Sequence, residues 1–386
     1  MGMHGKHQQQ GGEEEVEGTL HGDVLDAVIS RVSALDLLPA SRVSKAWRAA
    51  VVSSVRHSPR RPPPWLVLYV QGRRGTATTH AFDPLSRSWR SITRVPWCSF
   101  PAGPHSPVPQ VSTYACSQRG GTRLYALSPS GLALARDPFS TVWRELEAPR
   151  YWRTDPVVAL VGPHVVVAGG TSEFEDDANS VDVHDACSGG WEASEPMPEA
   201  FGWSSAFSAA ANGNRLYVMD KWFPFTASWF DPAAKRWGPT RRVSIPDPTV
   251  RHAAMGFGNG RLLLAGAGGS GTGAGWRAES VRLWAVDEET LQVEEEVGRM
   301  PREMVEGLVD DAGWGLWSIG FLSEGDYAYV YNPSYLGEFF LCEFEEGGGC
   351  RWERILRPTC VEARPMHRVV FGCSEVSMDD LKTAAN

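Results

Sequence analysis

The chain has 386 residues, more than one small module needs; the length suits two domains, or one large repeat fold with an appendage. Apolar residues at 42% and charged residues at 22% exclude bulk disorder. A formal charge of −9 argues against a general nucleic-acid binder, which needs basic surface to neutralise phosphates, and no run approaches 18 uninterrupted apolar residues, so no membrane span is expected.

Residues 1–18 are polar, with consecutive glutamines from Gln8 and glutamates from Glu13, and read as a disordered tail. No apolar stretch of a secretory signal follows them. Seven cysteines, an odd number without C-x-x-C spacing, support neither a disulfide framework nor a zinc site. No cofactor or metal is expected, and the expected location is a reducing compartment, cytoplasm or nucleus or both.

Residues 19–55 carry a helical pattern. Asp23 can cap a helix in which Val24, Leu25, Val28, Ile29 and Val32 follow at helical spacing. Asp36 can cap a second helix, with Pro39 in its first turn, and Val43, Trp47 and Val51 repeat every four residues. Helices this short cannot bury their own apolar surface and call for a partner. The run Leu20-His21-Gly22-Asp23-Val24-Leu25, then Ile29-Ser30-Arg31-Val32, Asp36-Leu37-Leu38 and Val43-Ser44-Lys45-Ala46-Trp47-Arg48 resembles an F-box. It departs from that pattern at His21, where Pro is usual, and at Val32-Ser33, where Leu-Pro is usual. The resemblance implies that Leu20, Val24, Leu25, Ile29, Leu38, Val43 and Trp47 meet a Skp-type adaptor.

Residues 56–64, with three arginines and four prolines, form a basic, semi-rigid linker. Beyond it a repeat begins. Asp83-Pro84, Asp137-Pro138 and Asp231-Pro232 are each followed by a Trp six residues after the Asp, at Trp89, Trp143 and Trp237. Asp185 and Trp191 keep the spacing without Pro, Asp287 keeps it with Val293, and a last unit ends at Trp352. The anchors stand 54, 48, 46, 56 and 59 residues apart. An Asp opens a turn by accepting from backbone N–H groups ahead of it, and Pro presets the next φ. The Trp then starts the return strand and is expected to bury its ring between sheets. β-rich runs precede the turns, at 65–70, 124–127, 165–168, 216–219, 262–265 and 327–331, with further strands at 156–161 and 205–210.

Four strands per unit at about 50 residues is the kelch kind of propeller blade. The sequence therefore predicts an all-β, six-bladed β-propeller over 65–378, preceded by a small all-α module and followed by a tail at 379–386. The first blade lacks its first strand, which residues 368–373 are expected to supply. The recurring Asp and Trp are read as turn and packing anchors.

F-box followed by kelch blades resembles plant F-box/kelch-repeat proteins. That resemblance implies a non-catalytic substrate receptor of a Skp–cullin–F-box ubiquitin ligase. The helices would dock the adaptor and through it a cullin, while the propeller captures a target for ubiquitination and proteasomal degradation. The stretches 329–333, 338–344 and 368–374 resemble the subgroup implicated in turnover of phenylpropanoid and flavonoid enzymes, which implies chalcone synthase or phenylalanine ammonia-lyase as target. Loops sharing one propeller face supply the substrate-binding candidates: Arg73, Arg74, Tyr151, Trp152, Arg153, Glu173, Phe174, Trp203, Trp222, Phe223, Arg251, His252, Trp276 and Arg277. Two alternatives are weighed. A scaffold without ligase coupling predicts no adaptor binding. A kelch metalloenzyme lacks its motif here, because Glu173 and Asp177 have the spacing of an iron site but position 181 is Val.

Overall fold

The computed structural model describes residues 22–32, 34–57, 63–71, 77–92, 111–136, 139, 143–170, 179–201, 206–272, 276–309, 316–359 and 368–375. The chain divides into two compact units, Met1–Arg61 and Pro62–Asn386.

The first unit holds α1 (Gly22–Ile29), α2 (Ala34–Ala40) and α3 (Lys45–His57). α3 packs against both others, and Leu25, Ile29, Leu37, Ala50 and Val51 are buried. Ser44 caps α3: its Oγ accepts from the Trp47 N–H at 3.2 Å. α2 starts two residues ahead of Asp36, so that Asp sits in the first turn, where the helix dipole favours it, and Pro39 falls near the end. Val43 precedes α3 instead of continuing its stripe.

The second unit is mostly β in a propeller-like arrangement. Its first meander is β1 (Trp65–Gln71), β2 (Ala77–Asp83) and β3 (Ser88–Ile92). β4 (Ser112–Gln118), β5 (Gly121–Ser128), β6 (Gly131–Ala135) and β7 (Trp143–Glu147) follow, then β8 (Val157–Val161), β9 (His164–Ala168), β10 (Val181–Asp185) and β11 (Trp191–Ala193). The next meander is β12 (Phe207–Ala211), β13 (Leu216–Asp220) and β14 (Thr226–Asp231), with β15 (Arg236–Trp237) and β16 (Arg241–Arg242) both paired to β14. After them come β17 (Val250–Gly258), β18 (Arg261–Ser270), β19 (Arg277–Val286) and β20 (Val293–Arg299). A short helix, α4 (Arg302–Val305), leads to β21 (Gly320–Glu324), β22 (Tyr327–Tyr331), β23 (Glu338–Phe344) and β24 (Cys350–Leu356). β25 (Arg368–Ser374) pairs antiparallel with β1, so the first meander takes its leading strand from the far end of the chain, as the sequence predicts.

Four meanders stand as separate four-stranded sheets, and two are joined into one nine-stranded sheet by a parallel bridge between β4 and β12. The leading strands touch in cyclic succession: β25 with β4, then β8, β12, β17, β21 and back to β25. Burial falls toward the last strand of each meander. β1, β5, β21 and β22 are buried almost throughout, while β7, β11, β20 and β24 are largely exposed or half-buried. That gradient explains why inner strands read as unbroken apolar runs. The apolar clusters bridge successive sheets, one joining β22 and β23 to β1 and β25, another joining β1 and β25 to β5 and β6.

The recurring Asp residues act as turn anchors. Asp83 Oδ1 accepts from the Leu85 N–H at 3.0 Å, Asp185 Oδ1 from Cys187 at 2.8 Å, Asp231 Oδ1 from Ala233 at 2.9 Å and Asp287 Oδ1 from Thr290 at 2.6 Å. Asp137 lies outside the described residues. The Trp rings differ from expectation. They are half-buried, and the indole N–H of three of them reaches the chain at or just beyond the outer strand of the preceding sheet, while those of Trp143 and Trp352 have no hydrogen-bond partner among the described residues. Trp89 donates to Leu356 O at 2.7 Å, Trp191 to Glu147 O at 2.9 Å, and Trp237 to Glu195 O at 3.2 Å. The ring therefore fastens one sheet's edge to the next, which an amphipathic side chain with one donor suits. Among the described residues, no helix is long and apolar enough to cross a membrane.

Candidate functional site

On the helical unit, the residues expected to meet an adaptor separate into two sets. Leu25 and Ile29 are buried at 2% and 1% exposure, and hold α1 in place. Val24 and Val43 are 59% and 64% exposed. Trp47 is half-buried in the first turn of α3, Leu38 belongs to α2, and Leu20 lies outside the described residues.

On the β unit, Arg73, Arg74, Glu173, Phe174 and Trp203 lie outside the described residues. Five of the others come together. The segment after β13 runs beside the start of β17: the Phe223 N–H donates to Arg251 O at 3.3 Å, and Trp222 bridges His252. The Arg251 guanidinium lies 5.4 Å over the Phe223 ring, and His252 meets Trp276 edge-on at 4.9 Å. Trp222 and Phe223 are 57% and 61% exposed, whereas Trp276 is buried. Burial, with the Arg251 charge second, holds the His252 imidazole down at about 4. Arg277 is exposed at the start of β19. Tyr151 is exposed beneath the Arg150 guanidinium, and Trp152 is half-buried against the core.

Arg153 is a correction. Sequence reasoning placed it on the surface, but it is 1% exposed. Its Nη2 donates to Asp182 Oδ2 at 2.7 Å, and its Nη1 to Ser180 O at 2.5 Å. A side chain so enclosed has no surface to offer a partner.

A cavity of about 530 Å³ lies among the leading strands, and of the described candidate residues only Trp222 lines it. Its wall takes residues from all six leading strands, among them Tyr114, Val157, Ser208, Met255, Phe321 and Phe371. Its rim carries Trp222 and Trp317, the latter 48% exposed. Among the described residues, three charged side chains line it: Asp155, Arg368 and Lys221. Arg368 Nη1 meets Asp155 Oδ1 at 2.7 Å, and its guanidinium lies 4.5 Å over the Tyr114 ring. Sequence reasoning missed Lys221, Trp317 and Arg368. One signal was available for Lys221: the chain holds only 5 lysines among 37 basic residues, and this one directly follows a buried strand.

A mostly β, propeller-like unit accompanied by a separate small helical unit defines the class of protein. A curated protein of Arabidopsis thaliana described as an F-box/kelch-repeat protein is 33% identical over 387 residues, covering 96% of this chain and 93% of its own length. The chain belongs to the F-box/kelch-repeat family. No family model matches it.

Proposed function

We propose that this protein is the substrate-recognition subunit of a Skp–cullin–F-box ubiquitin ligase and does no bond chemistry itself. Residues 19–55 act as the F-box that docks a Skp-type adaptor and through it a cullin. Residues 65–378 act as a kelch propeller whose six meanders count as six blades, and whose loop face holds the target. The target class we favour is a flavonoid or phenylpropanoid enzyme, with chalcone synthase or phenylalanine ammonia-lyase as candidates, reached in the cytoplasm or nucleus. Holding target and ligase on one chain raises their effective concentration, and that is the whole of the receptor's contribution to catalysis.

The observation that carries this reading is the 33% identity along 96% of the chain to an F-box/kelch-repeat protein, helices and strands alike. The exposed apolar side chains of Val24 and Val43 on so small a helical unit support it, since such surface asks for a partner. The test is a pull-down from plant extract with the wild-type chain beside a Val43→Asp/Trp47→Ala double variant. Wild type should retain adaptor and cullin, and the variant should lose both while keeping the target. If neither bait retains the adaptor, the protein is a scaffold without ligase coupling.

A further inference from the structure

The cavity at the mouth of the leading strands has a charge arrangement that an apolar funnel alone would not need. Arg368 and Asp155 neutralise each other across 2.7 Å. Lys221 has no ion-pair or hydrogen-bonding partner for its ammonium among the described residues. Its backbone is pinned on both sides, the N–H donating to Ala206 O and the carbonyl accepting from the Ala253 N–H, each at 3.0 Å. The residue thus presents a partly buried cation from a fixed backbone position, in a chain whose net charge is −9. Trp222, next along the chain, and Trp317 line the same cavity, both about half exposed, with Phe223 61% exposed one residue further on. Exposed Trp around a charged centre is the composition of an interface hot spot, where large rigid rings exclude water from a polar anchor.

We propose that this cavity is the anchor pocket for the captured target, and that it takes an Asp or Glu side chain flanked by aromatic or aliphatic residues on an extended segment of that protein. The carboxylate pairs with Lys221 Nζ and the flanking apolar side chains lie against Trp222 and Trp317. Charge complementarity selects the acid: the cation is already partly desolvated, so a carboxylate recovers interaction that water no longer fully supplies. Burial lowers the Lys221 pKa with no neighbouring charge among the described residues to offset it, which agrees with a site built to receive one. The volume, about 530 Å³, holds one or two side chains and not a folded surface. This rests on the substrate-receptor reading and names the chemistry that receptor recognises.

The test selects a phage library of random twelve-residue peptides on the full chain, then measures the selected peptides by calorimetry. The proposal expects an enriched Asp or Glu next to aromatic or aliphatic residues. Binding should weaken at least tenfold with Lys221→Met, and stay within about threefold with Lys221→Arg. Changing the peptide's acid to its amide should cost as much on the wild type and nothing further on Lys221→Met. Trp317→Ala, at an exposed position, should weaken the same peptides and guards against a folding defect in the first variant. Selected peptides without an acid, binding indifferent to Lys221→Met, or no selected peptides would each overturn the proposal. So would 3-phenylpropionate competing at the same Lys221-dependent site while no peptide binds, because the occupant would then be a free acid. Lys221→Met should leave adaptor capture in the pull-down unchanged, so failure here and failure of the ligase reading are seen separately.

Discussion

His252 stands between two residues that both resist its protonation: the Trp276 ring takes away water, and the Arg251 guanidinium adds like charge. Its folded-state pKa of about 4 lies below the ordinary 6.5. Between those values the unfolded chain binds the proton and the folded chain does not. The group's contribution to stability is therefore intact above about pH 6.5, falls as pH drops toward 4, and is constant below. The loss is no more than about 3 kcal/mol, since solvent still screens part of the ring. Urea midpoints taken from pH 7 to pH 4 should fall less steeply for His252→Phe than for wild type. Parallel slopes would mean that the imidazole titrates normally. The Trp anchors also illustrate what single residues disclose. An Asp with a Trp six positions on is legible because the Asp turn is local, its Oδ1 reaching N–H groups two or three residues ahead. The acceptor of the Trp89 indole, Leu356 O, is 267 residues away, and no spacing rule points to it.

At the scale of elements, the buried Arg153–Asp182 pair ties the chain ahead of β8 to β10. Through Ser180 O and Gly169 O, at 2.5 and 3.4 Å, the same guanidinium also holds the end of β9 and the approach to β10. Burial raises the Asp182 carboxyl and Arg153 opposes that shift, so removing the arginine strands an acid in the interior. Arg153→Met should cost about 3–5 kcal/mol in urea unfolding, and Arg153→Met/Asp182→Leu should recover most of it. A single-variant loss below about 1 kcal/mol would show that water reaches the site. This pair also shows why the candidate surface was only partly legible. Arginine is usually a surface residue, so Arg153 was read with its exposed neighbours, while its partner lies 29 positions on and joins it only through sheet pairing. The strands themselves were legible, because inner strands buried on both faces must be apolar runs. Their convergence was not. Lys221, Trp317 and Arg368 come from three different meanders and share a cavity only because the leading strands close on one another.

For the whole molecule, that closure rests on one strand drawn from the end of the sequence. β25 pairs with β1 over seven residues, from Trp65 opposite Ser374 to Gln71 opposite Arg368. It also reaches sheets on either side. The Cys373 N–H donates to Thr122 Oγ1 at 3.0 Å, Arg368 Nε to Thr113 O at 3.0 Å, and Phe371 lies 4.2 Å from the Tyr331 ring. A chain ending at residue 367 would lose these links and expose β1, apolar on both faces, as a sheet edge, which is a template for aggregation. Such a chain should unfold at lower urea and without one cooperative transition. A synthetic peptide of residues 368–374 should restore the midpoint by pairing with the vacated edge, whereas the same residues in reversed order should not. Phe371→Ala tests the apolar part alone and should cost about 3–5 kcal/mol while leaving the strand paired. Because β25 also carries Arg368 and lines the cavity, the truncated chain should lose peptide binding at Lys221 as well, and the complementing peptide should return both properties together. A truncated chain that keeps the wild-type midpoint would show that the remaining sheets hold one another in place without the ring being closed.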